Sequence, residues 1–367
     1  MKTAATSSLA KKLEAWFDRN ARDLPWRRSP SPYRVWISEI MLQQTQVATV
    51  VPYFERFIAR FPHVKSLADA DEQDVLALWS GLGYYRRARM LHAVAREIVS
   101  KHAGEFPSER EAVLALPGIG PYTAGAILSI AFNQPEPIVD GNVARVFARI
   151  TREMRQIKSK HAQAAAWAWA RALVRTKGAK PRALNQALME LGATVCTPAA
   201  PQCDACPVSR FCAAKELGDA AKFPRVTKKP PPRLRRYIAW LAQDKQGRVL
   251  LVKRGLGENS LLPDGLWELP QSGWVLQPTR AAAASRPLHV VRQTIMNWKV
   301  ELEVRAAKHV STPRGADARW FELNELSSLP LASITRKALA LIAGAKTPLQ
   351  RSGTGGPSHA YSAASTR

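Results

Sequence analysis

All four cysteines of this chain fall within seventeen residues, as Cys196-x6-Cys203-x2-Cys206-x5-Cys212, with Pro198, Pro201 and Pro207 keeping the intervening chain in a loop. Such crowding in an otherwise cysteine-free sequence points to a metal centre rather than a disulfide framework. Four thiolates suit a [4Fe–4S] cluster or a zinc ion held by four cysteines. Structural zinc usually takes its cysteines as two tight pairs, and only Cys203 and Cys206 are that close here. Four unrelated buried thiols are the plain alternative.

Three further groups could do chemistry. Leu116-Pro117-Gly118-Ile119-Gly120 lies between stretches expected to be helical, 108–115 and 122–131. Gly118 and Gly120 let the backbone turn tightly and leave N–H groups at a helix N-terminus, where a phosphate can dock, while Pro121 suits the first helical turn. A purely structural helical hairpin is the alternative. Asp140, in Asp140-Gly141-Asn142-Val143, is a good N-cap for a helix running to about Ile150. Glu39 sits in Trp36-Ile37-Ser38-Glu39-Ile40-Met41-Leu42-Gln43-Gln44-Thr45-Gln46, a helical carboxylate among large apolar groups. Read alone, it is either an acid or a surface glutamate.

The cysteine spacing resembles the iron–sulfur loop of the endonuclease III family of DNA glycosylases, and residues 116–120 resemble the helix-hairpin-helix motif of DNA repair proteins. The string around Glu39 resembles the adenine DNA glycosylases of that superfamily nearly residue for residue. The likeness runs from Leu24-Pro25-Trp26-Arg27 through Gly81-Leu82-Gly83-Tyr84-Tyr85 to the cysteines. It implies a [4Fe–4S] cluster on Cys196, Cys203, Cys206 and Cys212, Glu39 as general acid on adenine, and Asp140 facing the sugar of a flipped nucleotide. It also implies that Tyr122 and Asn142 hold Asp140 and the sugar, and that Trp26, Arg27 and Gln186 line an adenine pocket. Leu42, Gln43, Gln44 and Thr45 are candidates to fill the gap left by the extruded base, though ordinary helix packing explains them too. Tyr84 is the implied wedge beside 8-oxoguanine, and Leu82, Gly118 and Gly120 complete the expected DNA contacts. The implied partner is double-stranded DNA with an A:8-oxoguanine or A:G mismatch, bound by a monomer.

Adenine is a poor leaving group, so the implied reaction needs acid assistance at N7 while the sugar becomes an oxocarbenium ion. Two carboxylates in opposite states would supply it. Glu39 in an apolar pocket would titrate high and donate a proton; Asp140, held ionised by helix N–H groups, would stabilise the cation directly or through a transient adduct. Glycosylases that also cut the strand carry a Schiff-base lysine in the second helix of the hairpin; here that position is Tyr122, so lyase activity is expected to be weak or absent. Two rival readings remain. Tyr122 and Leu42-Gln43-Gln44 oppose a bifunctional endonuclease III-like glycosylase and lyase, and the pair Glu39 and Asp140 opposes a non-catalytic DNA-binding relative.

The elements that must position these residues follow from pattern and composition. The 54 Lys and Arg against 29 Asp and Glu give a net charge of +25 and a pI near 10.4, so the partner is a polyanion, with nucleic acid well ahead of an anionic membrane surface. No apolar run approaches the roughly 20 residues of a membrane span and the start lacks a signal-peptide core, so a cytoplasmic, nucleoid-associated location is expected. The reading is multidomain. Residues 8–214 form an all-α helix-hairpin-helix glycosylase domain of roughly ten helices, including the iron–sulfur loop 196–212. A basic, proline-rich linker spans 215–235, and 346–367 is a disordered tail.

Between them, 236–345 is expected to form a small α+β domain, with strands 236–241 and 248–253 around the turn Asp244-Lys245-Gln246-Gly247, a second pair at 289–295 and 299–304, and a closing helix at 331–343. It resembles the Nudix-like, lesion-recognising module of adenine glycosylases. Residues 271–287 contain no acid, so the metal helix of a true Nudix hydrolase is missing and pyrophosphate hydrolysis is not expected. Where the family often carries Phe-Ser-His, this chain has Ile295-Met296-Asn297, leaving Asn297 as the polar lesion contact.

Overall fold

The computed structural model describes residues 3–227, 230–253, 265–271, 286–295, 297–307 and 317–342. The chain divides into two compact units, the first Met1–Arg233 and the second formed by most of the chain from Leu234 onward.

Twelve α-helices lie between Thr3 and Thr194. Two of them, α2 (Pro25–Arg28) and α5 (Val64–Ala68), are too short to leave a periodic pattern, which accounts for the excess over the ten expected. One core packs α1 (Thr3–Asn20), α10 (Gly141–Ile150), α11 (Lys160–Val174) and α12 (Pro181–Thr194) through Leu13, Val143, Phe147, Ala170 and Leu188. The other side of the unit is aromatic. Trp36 of α3 (Pro32–Leu42) meets Phe106 edge-on at 5.2 Å, and Phe57 of α4 (Val47–Arg60) meets Trp79 at the end of α6 (Glu72–Trp79) at 6.1 Å.

Each helix that carries a candidate residue is started by its own sequence. Ser31 caps α3, its hydroxyl accepting from the Arg34 N–H at 3.2 Å with Pro32 in the first turn. Between α3 and α4 the chain is not helical at 43–46: Gln44 adopts a left-handed φ of 59°, and Gln43 to Thr45 form a turn beyond Glu39. Gly118, at φ 71°, turns the chain between α8 (Arg110–Ala115) and α9 (Pro121–Ala126). A Cβ at Gly118 would lie 1.7 Å from the Met90 sulfur of α7 (Arg86–His102). The stretch expected as one helix over 122–131 loosens into a π-helical turn at Ile127–Ala131, where Arg182 donates to the Ile130 and Ala131 carbonyls at 2.5 and 2.7 Å. This turn packs against both α3 and α12, so the second helix of the hairpin bridges the two cores.

Residues 215–225, expected as linker, are folded against this unit. Ala213–Glu216 forms α13, Ala220–Lys222 a 3-10 turn, Phe223 is buried, and the Ile157 N–H donates to the Arg225 carbonyl at 2.9 Å.

In the second unit, β4 (His289–Ile295) and β5 (Trp298–Ala306) pair antiparallel with Ile295 opposite Trp298. The first expected pair is corrected: β1 (Arg233–Leu241) lies beside β5 in the sheet β1-β5-β4, and β2 (Val249–Lys253) is the centre of β3-β2-β6, with β3 Trp267–Glu268 and β6 Ala318–Phe321. The Asp244–Gly247 turn exists, but the strands flanking it give their ladder edges to other partners. A helix, α14 (Ser333–Ile342), packs on β4. Met296, residues 272–285 and the tail 346–367 lie outside the described residues.

Candidate active site

Four helices deliver carboxylates and their partners to one cavity of about 430 Å³, within the usual range for small-molecule sites. From α3 comes Glu39, only 6% exposed. Burial pushes its carboxyl up to about 7; the hydrogen bond from Tyr122 opposes the shift and the Asp140 charge adds to it. The Tyr122 hydroxyl, from α9, donates to Glu39 Oε2 and lies 3.7 Å from the Met189 sulfur. Tyr122 therefore orients the acid, and its own ionisation is pushed well above the ordinary phenol value by burial and the two carboxylates.

Asp140 caps α10 as expected, Oδ1 accepting from the Val143 N–H at 2.7 Å and Oδ2 from Asn142 Nδ2 at 2.9 Å. These N–H donors favour the ionised form, as expected, but they do not act alone. Burial outweighs them and raises Asp140 above the ordinary aspartate value, with the bonds from Val143 and Asn142 offsetting part of the shift. Asn142 is itself held, its Oδ1 accepting from Arg145 at 2.8 Å; Arg145 also donates to the carbonyls of Gly192 at 2.7 Å and Cys196 at 2.8 Å. A Cβ on Gly192 would lie 2.5 Å from Asn142 Cβ, so α10 and α12 touch with no side chain between them.

Trp26, Arg27 and Gln186 all line the cavity, and so do Leu42, Gln43, Gln44 and Thr45. Sequence reasoning missed Arg22 and Glu190, which line it too. Glu190, 1% exposed, accepts from Arg22 Nε at 2.6 Å and from Arg27 Nη2 at 2.8 Å. Burial alone would raise its carboxyl, but these hydrogen bonds win and hold it down to about 2. The available signal was its place on α12, one turn beyond Gln186 on the same face. The cavity thus holds three carboxyls: Glu39 and Asp140, raised by burial, and Glu190, held low by its two arginines.

Tyr84 is 41% exposed, with φ 49°, on the surface of its loop. Leu82 is different: it is buried, so a direct DNA contact by its side chain does not fit this loop conformation. Gly120 precedes α9 with open space at its Cα, as a close backbone approach requires. In the second unit Asn297 is exposed in the β4–β5 turn.

The four cysteines are free thiols around one small cavity that also touches Arg149. Arg149 donates to Thr197 and Pro198 carbonyls at 2.7 and 2.9 Å and lies 3.2 Å from Cys196 Sγ. Burial, then the neighbouring thiols, push Cys206 up to about 11. Among the described residues, no group of three or more His, Cys, Asp or Glu side chains is gathered tightly enough for a single metal ion.

Residues 37–172 match the HhH-GPD superfamily of base excision DNA repair proteins. The protein of Rattus norvegicus named adenine DNA glycosylase is 35% identical over 359 residues, covering 84% of this chain and 67% of the rat protein. Its Homo sapiens namesake is 37% identical, covering 81% and 62%, and that of Arabidopsis thaliana 38% identical, covering 81% and 52%. The chain thus spans between about half and two thirds of the length of these curated relatives. Among solved structures, a thermostable thymine-DNA glycosylase is similar at 28% identity with a TM-score of 0.53, covering 58% of this chain and 98% of that one. A trapped endonuclease III–DNA covalent intermediate, at 20% identity and a TM-score of 0.50, covers 59% and 99% and shares the fold. Given the rat protein, matched at 35% identity over two thirds of its own length, the chain belongs to the adenine DNA glycosylase family.

Proposed function

We propose that the protein is a monofunctional base-excision glycosylase that removes adenine mispaired with 8-oxoguanine or guanine in double-stranded DNA. The observation that carries this reading is Glu39, a buried carboxyl raised to about 7 and oriented by Tyr122 opposite the capped Asp140. Extrusion of the base costs a few kcal/mol, and the role of filling the gap is assigned to the turn 43–45 and to Tyr84, whose exposure supports it. Glu39 gives its proton to N7, the C1′–N9 electrons leave with adenine, and Asp140 faces the cationic sugar. Water then adds at C1′ and its proton returns to a carboxylate. Asp140 is the better candidate for the charged partner, since it starts from the lower ordinary value and has more donors than Glu39. Arg22 and Arg27, fixed on Glu190, supply hydrogen-bonding edges around the base.

The residues present fit a [4Fe–4S] cluster on Cys196, Cys203, Cys206 and Cys212. The thiols ring one cavity, but more loosely than a single ion needs. When bound, such a cluster pins the loop that Arg145 joins to Asn142. The second unit is read as Nudix-like, with Asn297 as its lesion contact, and a monomer working on chromosomal DNA in the cytoplasm completes the proposal.

The test is single-turnover cleavage of duplexes with adenine opposite 8-oxoguanine, guanine or thymine, with and without alkali afterwards. Strand breaks should appear only after alkali, because Tyr122 cannot form an imine with the sugar aldehyde. Efficient breakage without alkali would favour a glycosylase with lyase activity instead. Excision should also follow a bell in pH. A general acid that titrates near 7 is lost as pH rises, so the rate falls on the alkaline side from about 7, and it falls again in acid as Asp140 takes up its proton. A rate that still rises between pH 7 and 9 would remove Glu39 from the acid's role.

A further inference from the structure

Two exposed residues, Gln44 and Tyr84, hold left-handed φ values of 59° and 49° without being glycine. Strain of this kind persists only where surrounding structure enforces it. Their loops are forty residues apart in sequence, yet both rest on one side chain, Arg87 at the start of α7. Its Nη1 donates to the carbonyls of Ile40, Met41 and Gln43 at 2.6, 3.0 and 2.7 Å. These are acceptors at the C-terminal end of α3, where helical carbonyls lack partners and a positive charge is favoured. Its Nη2 reaches Thr45 Oγ1, the Leu82 carbonyl and the Gly83 carbonyl at 3.4, 3.4 and 3.3 Å, looser contacts that flank Gln44 and Tyr84. The guanidinium also lies 5.3 Å from the Trp79 ring and 5.5 Å from the Tyr84 ring, and Trp79 Nε1 donates to the Gly83 carbonyl at 3.0 Å.

We propose that Arg87 is a positioning residue that ties the loops 43–45 and 81–84 to the end of α3, so that both sets of side chains enter the duplex as one unit. The inference rests on the reading of the protein as an adenine glycosylase that extrudes its base. Only a planar fork can serve all these acceptors. A lysine ammonium is a point donor, able to cap α3 but not to reach the second loop as well.

Arg87→Lys separates this role from simple capping, and Arg87→Ala removes both. Three readings are taken on full-length protein: thermal melting, single-turnover excision of adenine paired with guanine, and the fluorescence rise of 2-aminopurine substituted for that adenine. Excision is repeated on a duplex whose adenine faces an abasic analogue and needs no unpairing. Arg87→Lys should melt like the wild type yet lose about ten-fold or more in excision of paired adenine, with a matching loss of the 2-aminopurine rise. Most of that loss should disappear when the adenine is unpaired. A lysine variant equal to the wild type on the paired duplex overturns the proposal, as does an equal loss on both duplexes, which would place the defect in the chemistry. If Arg87→Ala fails to fold, the lysine variant carries the test alone. Wild-type protein inert on both duplexes overturns the glycosylase reading and the proposal with it, a result distinct from a variant that matches an active wild type.

Discussion

Glu39→Gln is expected to bind mismatched duplex as the wild type does and to excise adenine about 10³-fold more slowly, within the range a positioned general acid supplies. The amide keeps the shape of the carboxyl and still accepts from the Tyr122 hydroxyl, so the pocket survives. It has no acidic proton to give. Asp140→Asn should lose about 10²–10³-fold, because it removes the charge facing the sugar while an asparagine remains a good N-cap for α10. Single-turnover rates beside gel-shift affinities read both, and a rate within ten-fold of wild type for either would sink its assigned role. Stability should move the other way. The Glu39 carboxyl, raised from 4.5 to about 7 by burial, contributes stability that is complete below its unfolded value and is lost as pH rises through the folded one. Glutamine does not titrate, so melting temperatures should show Glu39→Gln gaining on the wild type between pH 5 and pH 8.

The second large effect is structural. Arg149→Met should cost about 3–5 kcal/mol, since the buried guanidinium, 1% exposed, meets four carbonyls that no methionine can satisfy. Its Nε donates to Ala220 and Phe223 at 2.9 and 3.0 Å, while Nη1 and Nη2 donate to Thr197 and Pro198. The same side chain therefore holds the start of the cysteine loop and the segment that follows it to α10. Urea melts and iron per chain should fall together. A variant that keeps its iron and its urea midpoint would show that the loop folds without this arginine.

What was legible in the sequence was what short stretches decide by themselves. The N-cap at Asp140, the dense apolar setting of Glu39, the glycine turn at 118 and the β4–β5 hairpin each depend on neighbours within a few residues. What was not legible came from distant partners. Glu190 is paired by arginines at positions 22 and 27, more than 160 residues away, and no local pattern announces that. Asp140 is legible only in part: its cap is local, whereas the burial that raises its carboxyl cannot be read from its neighbours in sequence. Phe223 likewise draws the start of the expected linker into the fold, a contact invisible in a basic, proline-rich composition.

Gly192 lies in the interior of α12, where glycine costs roughly 1 kcal/mol relative to alanine. The helix tolerates that weakness because Asn142, its Cβ nearest, occupies the space a side chain would need. Positions 142 and 192 therefore share a single steric allowance, since a methyl group at 192 would collide with Asn142. Drift at one is closed unless the other shifts with it, and Asp140, two residues from Asn142, inherits that narrow tolerance.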